Sequence, residues 1–413
     1  MDTPSLAPAE TFSARTSRRF AQLGHTYTHV LTLLYPTVVL ALESEWSMGY
    51  GELLVLMTVG NVLFGAGALP AGWLGDRWST LGMMVVFFIG MGLSAIATGF
   101  VSSPLGMTLG LAAIGLFASI YHPVGMAWLV RNAVNRGRTL GLNGVYGSVG
   151  VASAGLVAGV LTDWISWRAA FIVPGCVSLL TGLLLLRLVV SGRIADTRQD
   201  VVAAADLERG EAWRAFAVLS VTMLLTGLVF HSVYTALPKF FATAAVGLSG
   251  GTAAGAGTLA AVVYFLSMSA HLLGGRLADR HSLRFLYLMC YAVLGPVLLA
   301  AAAAHGGLLV AATALAVWMN TLAIPVENVL LSHYSPAKWR GTAFGAKFLL
   351  SLGVSALAVP LVALVYRLSG GFFWLFVLLG AASLTVAAVG LALPADRKRI
   401  PAAEPVATEP AAS

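Results

Sequence analysis

A succession of apolar runs, each about twenty residues long and almost free of charge, constrains this chain more than any other feature. A run of that length crosses the ~30 Å hydrocarbon core of a bilayer as a helix. Twelve can be drawn, over about 20–42, 51–74, 81–101, 105–130, 139–162, 168–188, 214–240, 252–275, 283–304, 308–331, 341–366 and 372–393. In hydrocarbon every backbone N–H and C=O must be satisfied internally, which leaves helices or a closed barrel. Barrel strands alternate over ~10 residues, and these runs are longer and more evenly apolar. Charged residues make up 10% of the chain, against ~25% in a soluble domain. That is too little charge to cover a water-facing surface, so the lipid bilayer is the expected solvent. The expected fold class is an all-α membrane protein with twelve transmembrane helices.

An internal repeat organises the runs. Gly72-Trp73-Leu74-Gly75-Asp76-Arg77 follows the second run, and Gly275-Arg276-Leu277-Ala278-Asp279-Arg280 follows the eighth. His29 and Pro36 recur as His231 and Pro238, and Arg136-Gly137 with Gly141 recurs as Arg340-Gly341 with Gly345. All three matches share an offset of roughly 200 residues, which argues for two copies of one unit. The expectation is two pseudo-symmetric six-helix bundles, 20–188 and 214–394. A linker over 189–213 would join them, with tails at 1–19 and 395–413. The motifs after runs two and eight are expected to be loops, with Gly72 and Gly275 permitting tight turns.

Basic residues set the orientation. Arg77, Arg131, Arg136, Arg276, Arg280 and Arg340 fall on one set of ends, while the other set holds Arg168, Lys239 and Arg367. Both termini are therefore expected in the cytoplasm, with the chain in a bacterial inner membrane. The net charge of +7 is accounted for by this asymmetry and not by nucleic-acid binding. Cys176 and Cys290 both fall inside runs and read as small packing residues. Pro36 predicts a kink in the first helix.

Twelve spans, a twofold repeat, a middle linker and a Gly-x-Leu-x-Asp-Arg element after spans two and eight resemble the major facilitator superfamily. The resemblance covers about 20–394. Tyr121-His122-Pro123-x-Gly125, followed by Arg136-Gly137-Arg138, resembles the fosmidomycin-resistance-like branch of drug exporters. The chain departs from the family pattern in three places. Trp78-Ser79-Thr80 stands where a glycine and a basic pair usually continue the loop, the fourth helix lacks a mid-membrane arginine, and Gly155 stands near the Gly-Pro of antiporters. The resemblance implies a cavity between the first, fourth, seventh and tenth helices. It also implies that Asp76 holds the cytoplasmic side closed against the eleventh helix, near Gly341 and Thr342. Gly72, Asp76, Arg77, Arg136, Gly275, Asp279, Arg280, Arg340 and Lys347 are the expected gating residues.

Ionisable groups inside spans cost roughly 2.5–3.5 kcal/mol each on insertion scales and usually face a cavity. The candidates for a substrate and proton cavity are His25, His29, Tyr35, His122, Tyr146, His231, Tyr234, Asn320 and Glu327. His29 and His122 each lie about eight residues, ~12 Å, from one end of their helices. Histidine titrates nearest neutral pH, which suits a proton carrier. For any single imidazole, interhelical hydrogen bonding is the preferred reading, while at least one of His29, His122 and His231 is expected to be functional. Glu327 and Lys347, at similar depth on neighbouring helices, could form a protonation site or a structural ion pair, and the ion pair is the preferred reading. Tyr35, Tyr121, Tyr146, Tyr234, Asn61 and Asn143 could bind substrate or equally hold helices together.

No phosphate-binding loop, nucleophile elbow or zinc-ligand spacing occurs. His25 and His29 lie four apart without a third ligand from the sequence, so neither metal nor cofactor is expected. The leading expectation is a monomeric secondary transporter, not an enzyme, that exports a small organic or drug-like solute coupled to protons. Two alternatives stand beside it: an uptake symporter or uniporter, and a transport-inactive membrane sensor.

Overall fold

A computed structural model describes residues 11–132, 136–195, 209–334, 347, 349–351 and 353–394. Among these, every regular element is helical. Eleven helices are long and apolar enough to cross a membrane. The twelfth span is the first, broken into Phe12–Leu33 and Tyr35–Glu45. The break falls at Leu34, where Pro36 in the second piece's first turn can supply no N–H to the preceding turn.

Span 2 runs Tyr50–Arg77 and span 3 Thr80–Thr98. Span 4 consists of Pro104–Ala118, a π-helical turn Tyr121–Gly125, and Met126–Arg131. Spans 5, 6 and 7 are Arg136–Trp164, Trp167–Val190 and Arg209–Ala244. Spans 8, 9 and 10 are Ala253–Arg280, Leu283–Ala303 and Gly306–Tyr334. Spans 11 and 12 contain Ser355–Ser369 and Phe373–Gly390. The connections are short because a hydroxyl begins the next helix almost at once. Ser79, Ser103, Ser166, Thr252 and Ser282 each accept from the backbone N–H of the third residue on, satisfying a donor the helix cannot.

Three expectations change here. The repeated motifs are not loops. Gly72–Arg77 completes the helix Ala68–Arg77, and Gly275–Arg280 completes span 8. Neither Gly72 nor Gly275 has a positive φ. The charged pair sits in the last helical turn, since a helix satisfies its backbone best by running on to the water layer. The first helix begins at Phe12, capped by the Thr11 side chain, ahead of the expected start near 20. Cys290 is a buried packing residue as expected, whereas Cys176 is exposed on the face of span 6. The expected linker and terminal tails lie mainly outside the described residues.

Spans 5 and 8 pack extensively across the two halves, spans 2 and 11 less so, and span 7 meets span 1 through its Tyr35–Glu45 piece. Glycines make the first contact possible. A Cβ added at Gly257 would collide with the Gly155 carbonyl oxygen, and one at Gly159 with that of Ala253. Small residues thus bring two backbones together, as lipid-facing bundles require.

Polar contacts between the halves gather at the Glu43 end. The Lys239 ammonium pairs with Glu43 at 2.6 Å. The Tyr50 hydroxyl donates to the Thr235 carbonyl at 3.2 Å, and its ring meets those of Tyr366 and Phe372. Asp163 accepts from the Ala254 N–H at 2.7 Å, at the positive start of span 8. Toward the Arg77 end, an added Cβ at Gly141, Gly144 or Gly275 would meet nothing within 4 Å. Among the described residues, the Lys239, Tyr50 and Asp163 contacts fasten the two halves together at the Glu43 end.

Gly257→Val should lower the apparent stability by about 1–3 kcal/mol through overpacking against the Gly155 backbone. Gly275→Ala, into open space on a helix, should raise it by up to about 1 kcal/mol. Thermal unfolding of the two variants in one detergent checks both signs.

Candidate functional site

The π-helical turn in span 4 builds the first cluster. Pro123 lies inside it and brings no N–H to the helix ladder, so the turn widens instead of breaking. This presents Tyr121 and His122 side by side, with ring centroids 5.5 Å apart. His25 and His29, one turn apart on span 1, face them. The His25 and His29 rings are 5.0 Å apart, and His122 stands 5.6 and 5.8 Å from them. One ring nitrogen from each of the three lies within 4.8 Å of the others. His122 is buried while His25 and His29 are half-buried.

Span 5 fixes the orientation of His25. A carbonyl can only accept, so His25 Nδ1 carries the proton donated to the Asn143 carbonyl at 2.8 Å. In the neutral ring that leaves Nε2 with a lone pair. The Asn143 side chain is itself held, accepting from the Tyr121 hydroxyl at 3.0 Å and donating to Met126 Sδ at 3.0 Å. Tyr121 stacks on His25 at 5.0 Å. Gly147 leaves room for the imidazole, since a Cβ there would collide with the His25 ring.

Two imidazoles reach the same region from the other half. His231 on span 7 interacts electrostatically with His29, and His271 on span 8 with His25. His231 Nε2 donates to the Ser351 carbonyl at 3.1 Å. The repeat partners His29 and His231 are thus close enough to interact electrostatically. His271, which the repeat does not mark, joins them because span 8 lies against span 5.

The second cluster is a saturated ion pair. Glu327 Oε1 meets the Lys347 ammonium at 2.7 Å. Its other oxygen accepts from the Tyr287 hydroxyl at 2.9 Å and from Thr226 at 3.5 Å. Lys347 also donates to Asn328 Oδ1 at 2.6 Å. Glu327 and Lys347 are 5% and 8% exposed, so the pair is enclosed and its charges are compensated by hydrogen bonds. Tyr287 and Tyr291, four residues apart on span 9, complete the wall, with Tyr291 donating to Asn320 at 3.4 Å. These tyrosines are not among the sequence-based candidates, although their i,i+4 spacing on one helix face is visible in the residue order.

Other candidates divide between structural and cross-half roles. Tyr35 is fully buried and donates to the Leu53 carbonyl at 2.7 Å, linking spans 1 and 2 away from the histidines. Tyr146 lends its carbonyl to Thr26 at 2.8 Å, and its ring is half-buried. Tyr234 donates to the Val151 carbonyl across the halves at 3.4 Å. Asn61 reaches the Ser355 carbonyl at 3.5 Å.

Among the gating candidates, Gly72 and its neighbour Gly75 pack on the span 4 turn. An added Cβ would meet Pro123 at 3.3 Å or Val124 at 2.9 Å. Asp76 and Arg77 are exposed, and the Arg77 guanidinium lies 4.9 Å over the Trp73 ring. Arg280 is exposed at the end of span 8. Arg340, Gly341 and Thr342 lie outside the described residues, as do the side chains of Arg136 and Asp279. The Glu43–Lys239 link has no sequence signal, because its partners sit 196 residues apart and each reads as an ordinary helix-end charge.

Removing one member of the enclosed pair should cost far more than removing both. Lys347→Met should destabilise by about 3–5 kcal/mol, and adding Glu327→Gln should recover most of that loss. A double-mutant cycle by thermal unfolding measures the coupling.

The sequence profile described as Major Facilitator Superfamily matches residues 27–267 and 219–412. The puromycin resistance protein pur8 of Streptomyces alboniger is 30% identical over 128 residues, covering 30% of this chain and 25% of that protein. The match thus spans about a quarter of the relative's length. Two crystal structures of a bacterial homolog of the human lysosomal transporter Spinster share the fold at 15% identity. The inward-facing unoccupied form gives a TM-score of 0.72, covering 92% of this chain and 95% of that one. The inward-facing occupied form gives 0.70, covering 92% and 94%.

Proposed function

We propose that this chain, which belongs to the Major Facilitator Superfamily, exports a small organic, drug-like solute in exchange for protons. Family membership makes it a membrane transporter and not an enzyme, and a secondary transporter that works by alternating access. The observation that carries the finer reading is the group of imidazoles where the halves meet. His25, His29 and His122 come from one half, and His231 and His271 from the other. These are the titratable groups best placed to be reached from one face and then the other as the halves rock.

Coulomb's law limits how many protons the trio holds. Two cationic rings about 5 Å apart repel by about 3 kcal/mol at an effective dielectric of 20. A second proton is therefore strongly disfavoured, and the trio acts as a one-proton carrier. Glu327, already neutralised by Lys347, is a structural pair in this scheme. The Arg77 end, where arginines gather, is the cytoplasmic face of a bacterial inner membrane, so both termini are cytoplasmic. In this reading Glu43–Lys239 and the Tyr50 hydroxyl on the Thr235 carbonyl close the outside. Asp76, Arg77 and their repeat partners Asp279 and Arg280 close the inner side in the opposite state. The monomer is the working unit. Resemblance over part of the chain to a puromycin resistance protein supports export.

Purified protein in proteoliposomes, with puromycin as the probe solute, tests this. An imposed pH gradient should accelerate wild-type flux, while His29→Gln should retain counterflow and lose the acceleration. Equal acceleration in both proteins would remove His29 from the proton path. Glu43→Gln should shift the conformational balance toward outward-open by about 1 kcal/mol, roughly five-fold in population. Labelling rates of single cysteines placed along span 5 would read that shift.

A further inference from the structure

We infer that His25, His29 and His122 form a binding site for a first-row divalent transition-metal ion of the Zn2+ class. The site uses imidazoles to which proton transfer is assigned above. Ion binding is an equilibrium property that requires neither flux nor a direction, so the two can fail separately. It also revises the sequence-based expectation of no metal, which rests on the lack of a third ligand near His25 and His29.

Three observations carry it. First, the donor set is complete for a three-histidine centre. One ring nitrogen from each residue lies within 4.8 Å of the others. Tetrahedral zinc with Zn–N of about 2.0–2.1 Å needs nitrogens about 3.4 Å apart, so small ring rotations on helices already in contact would close the set. Second, the outer shell matches what a ligating imidazole requires. His25 gives its Nδ1 proton to the Asn143 carbonyl, which turns the Nε2 lone pair into the only donor left for an ion. The Asn143 side chain is pinned by Tyr121 and Met126, so the carbonyl's own helix is fixed at that point. Third, the trio is walled on one side and open on another. Phe64 stands 5.9 Å from the His122 ring, and His25 and His29 are half-buried. A fourth coordination position is thereby left to water or to a donor atom of a solute.

The chemistry selects the ion class. Three neutral nitrogen donors without a carboxylate or thiolate suit zinc, copper, nickel or cobalt over magnesium or calcium, which prefer oxygen. A structural role alone would require the rings to pack or bridge helices. It would not require one ring nitrogen from each of three histidines to converge within 4.8 Å.

The experiment uses the full-length chain, purified without a polyhistidine tag and carrying His281→Gln and His305→Gln to remove exposed imidazoles. Titration with Zn2+ by calorimetry and with Co2+ by visible absorption reads stoichiometry and ligand field. One ion per chain and an intense four-coordinate Co2+ spectrum are expected. His29→Gln and His122→Gln should each weaken Zn2+ binding by at least about ten-fold and abolish that spectrum. No stoichiometric binding, or unchanged affinity in both variants, would overturn the site. If one variant does not fold, as judged by gel filtration and thermal unfolding, the other decides. Wild-type protein that binds one Zn2+ but shows no acceleration by the pH gradient would instead count against the proton scheme alone.

Discussion

Spans 5 and 8 meet backbone to backbone, and the rest of the arrangement depends on that contact. Gly155, Gly159 and Gly257 present no side chain at the crossing, so carbonyl oxygens of one half stand where a Cβ of the other would be. In lipid there is no hydrophobic drive to hold helices together, and close packing must do it. The contact brings His271 toward His25 and places Tyr234 against Val151. It also leaves the ends free to differ. One of them is fastened by Glu43–Lys239, Tyr50 and Asp163.

The two halves share a plan and differ in chemistry. Pro123-Val124 of span 4 has a counterpart in Pro325-Val326 of span 10. A glycine of the preceding even-numbered span packs on each proline, Gly72 on Pro123 and Gly274 on Pro325. Around the first proline the ionisable group is His122, gathered with two more imidazoles. Near the second it is Glu327, neutralised by Lys347 and hydrogen-bonded on both oxygens. Imidazole nitrogens gathered within 4.8 Å of one another can take up a cation without stranding a counter-charge. A compensated ion pair cannot, because changing either charge strands the other in low dielectric. The pseudo-symmetric scaffold thus carries a cluster of imidazoles in one half and a compensated ion pair in the other.

Much of this is legible in the residue order itself. The apolar runs, the repeated glycine and Asp-Arg elements, the depth of His29 and His122, and the Glu327–Lys347 pair are all visible there. The Gly72–Arg77 element reads as a loop because glycine and a charged pair mark turns in water. At a membrane surface the helix persists through them, and Gly75 serves to admit Val124. Tyr35 reads as a cavity residue, and only its bond to the Leu53 carbonyl shows that it ties spans 1 and 2 together.

The sequence alone determined that this chain is a helical membrane protein built twice over, because hydrocarbon forbids other backbones and repetition survives in residue spacing. Tertiary structure decided which polar groups meet. His25 and His29 are one turn apart on one helix, but His122 joins them only through the π-turn around Pro123 and the packing of span 4 beside span 1. Lys239 finds Glu43 for the same kind of reason. Periodicity fixes which face of a helix a residue occupies, whereas the partner across that face depends on crossing positions that many weak contacts set together.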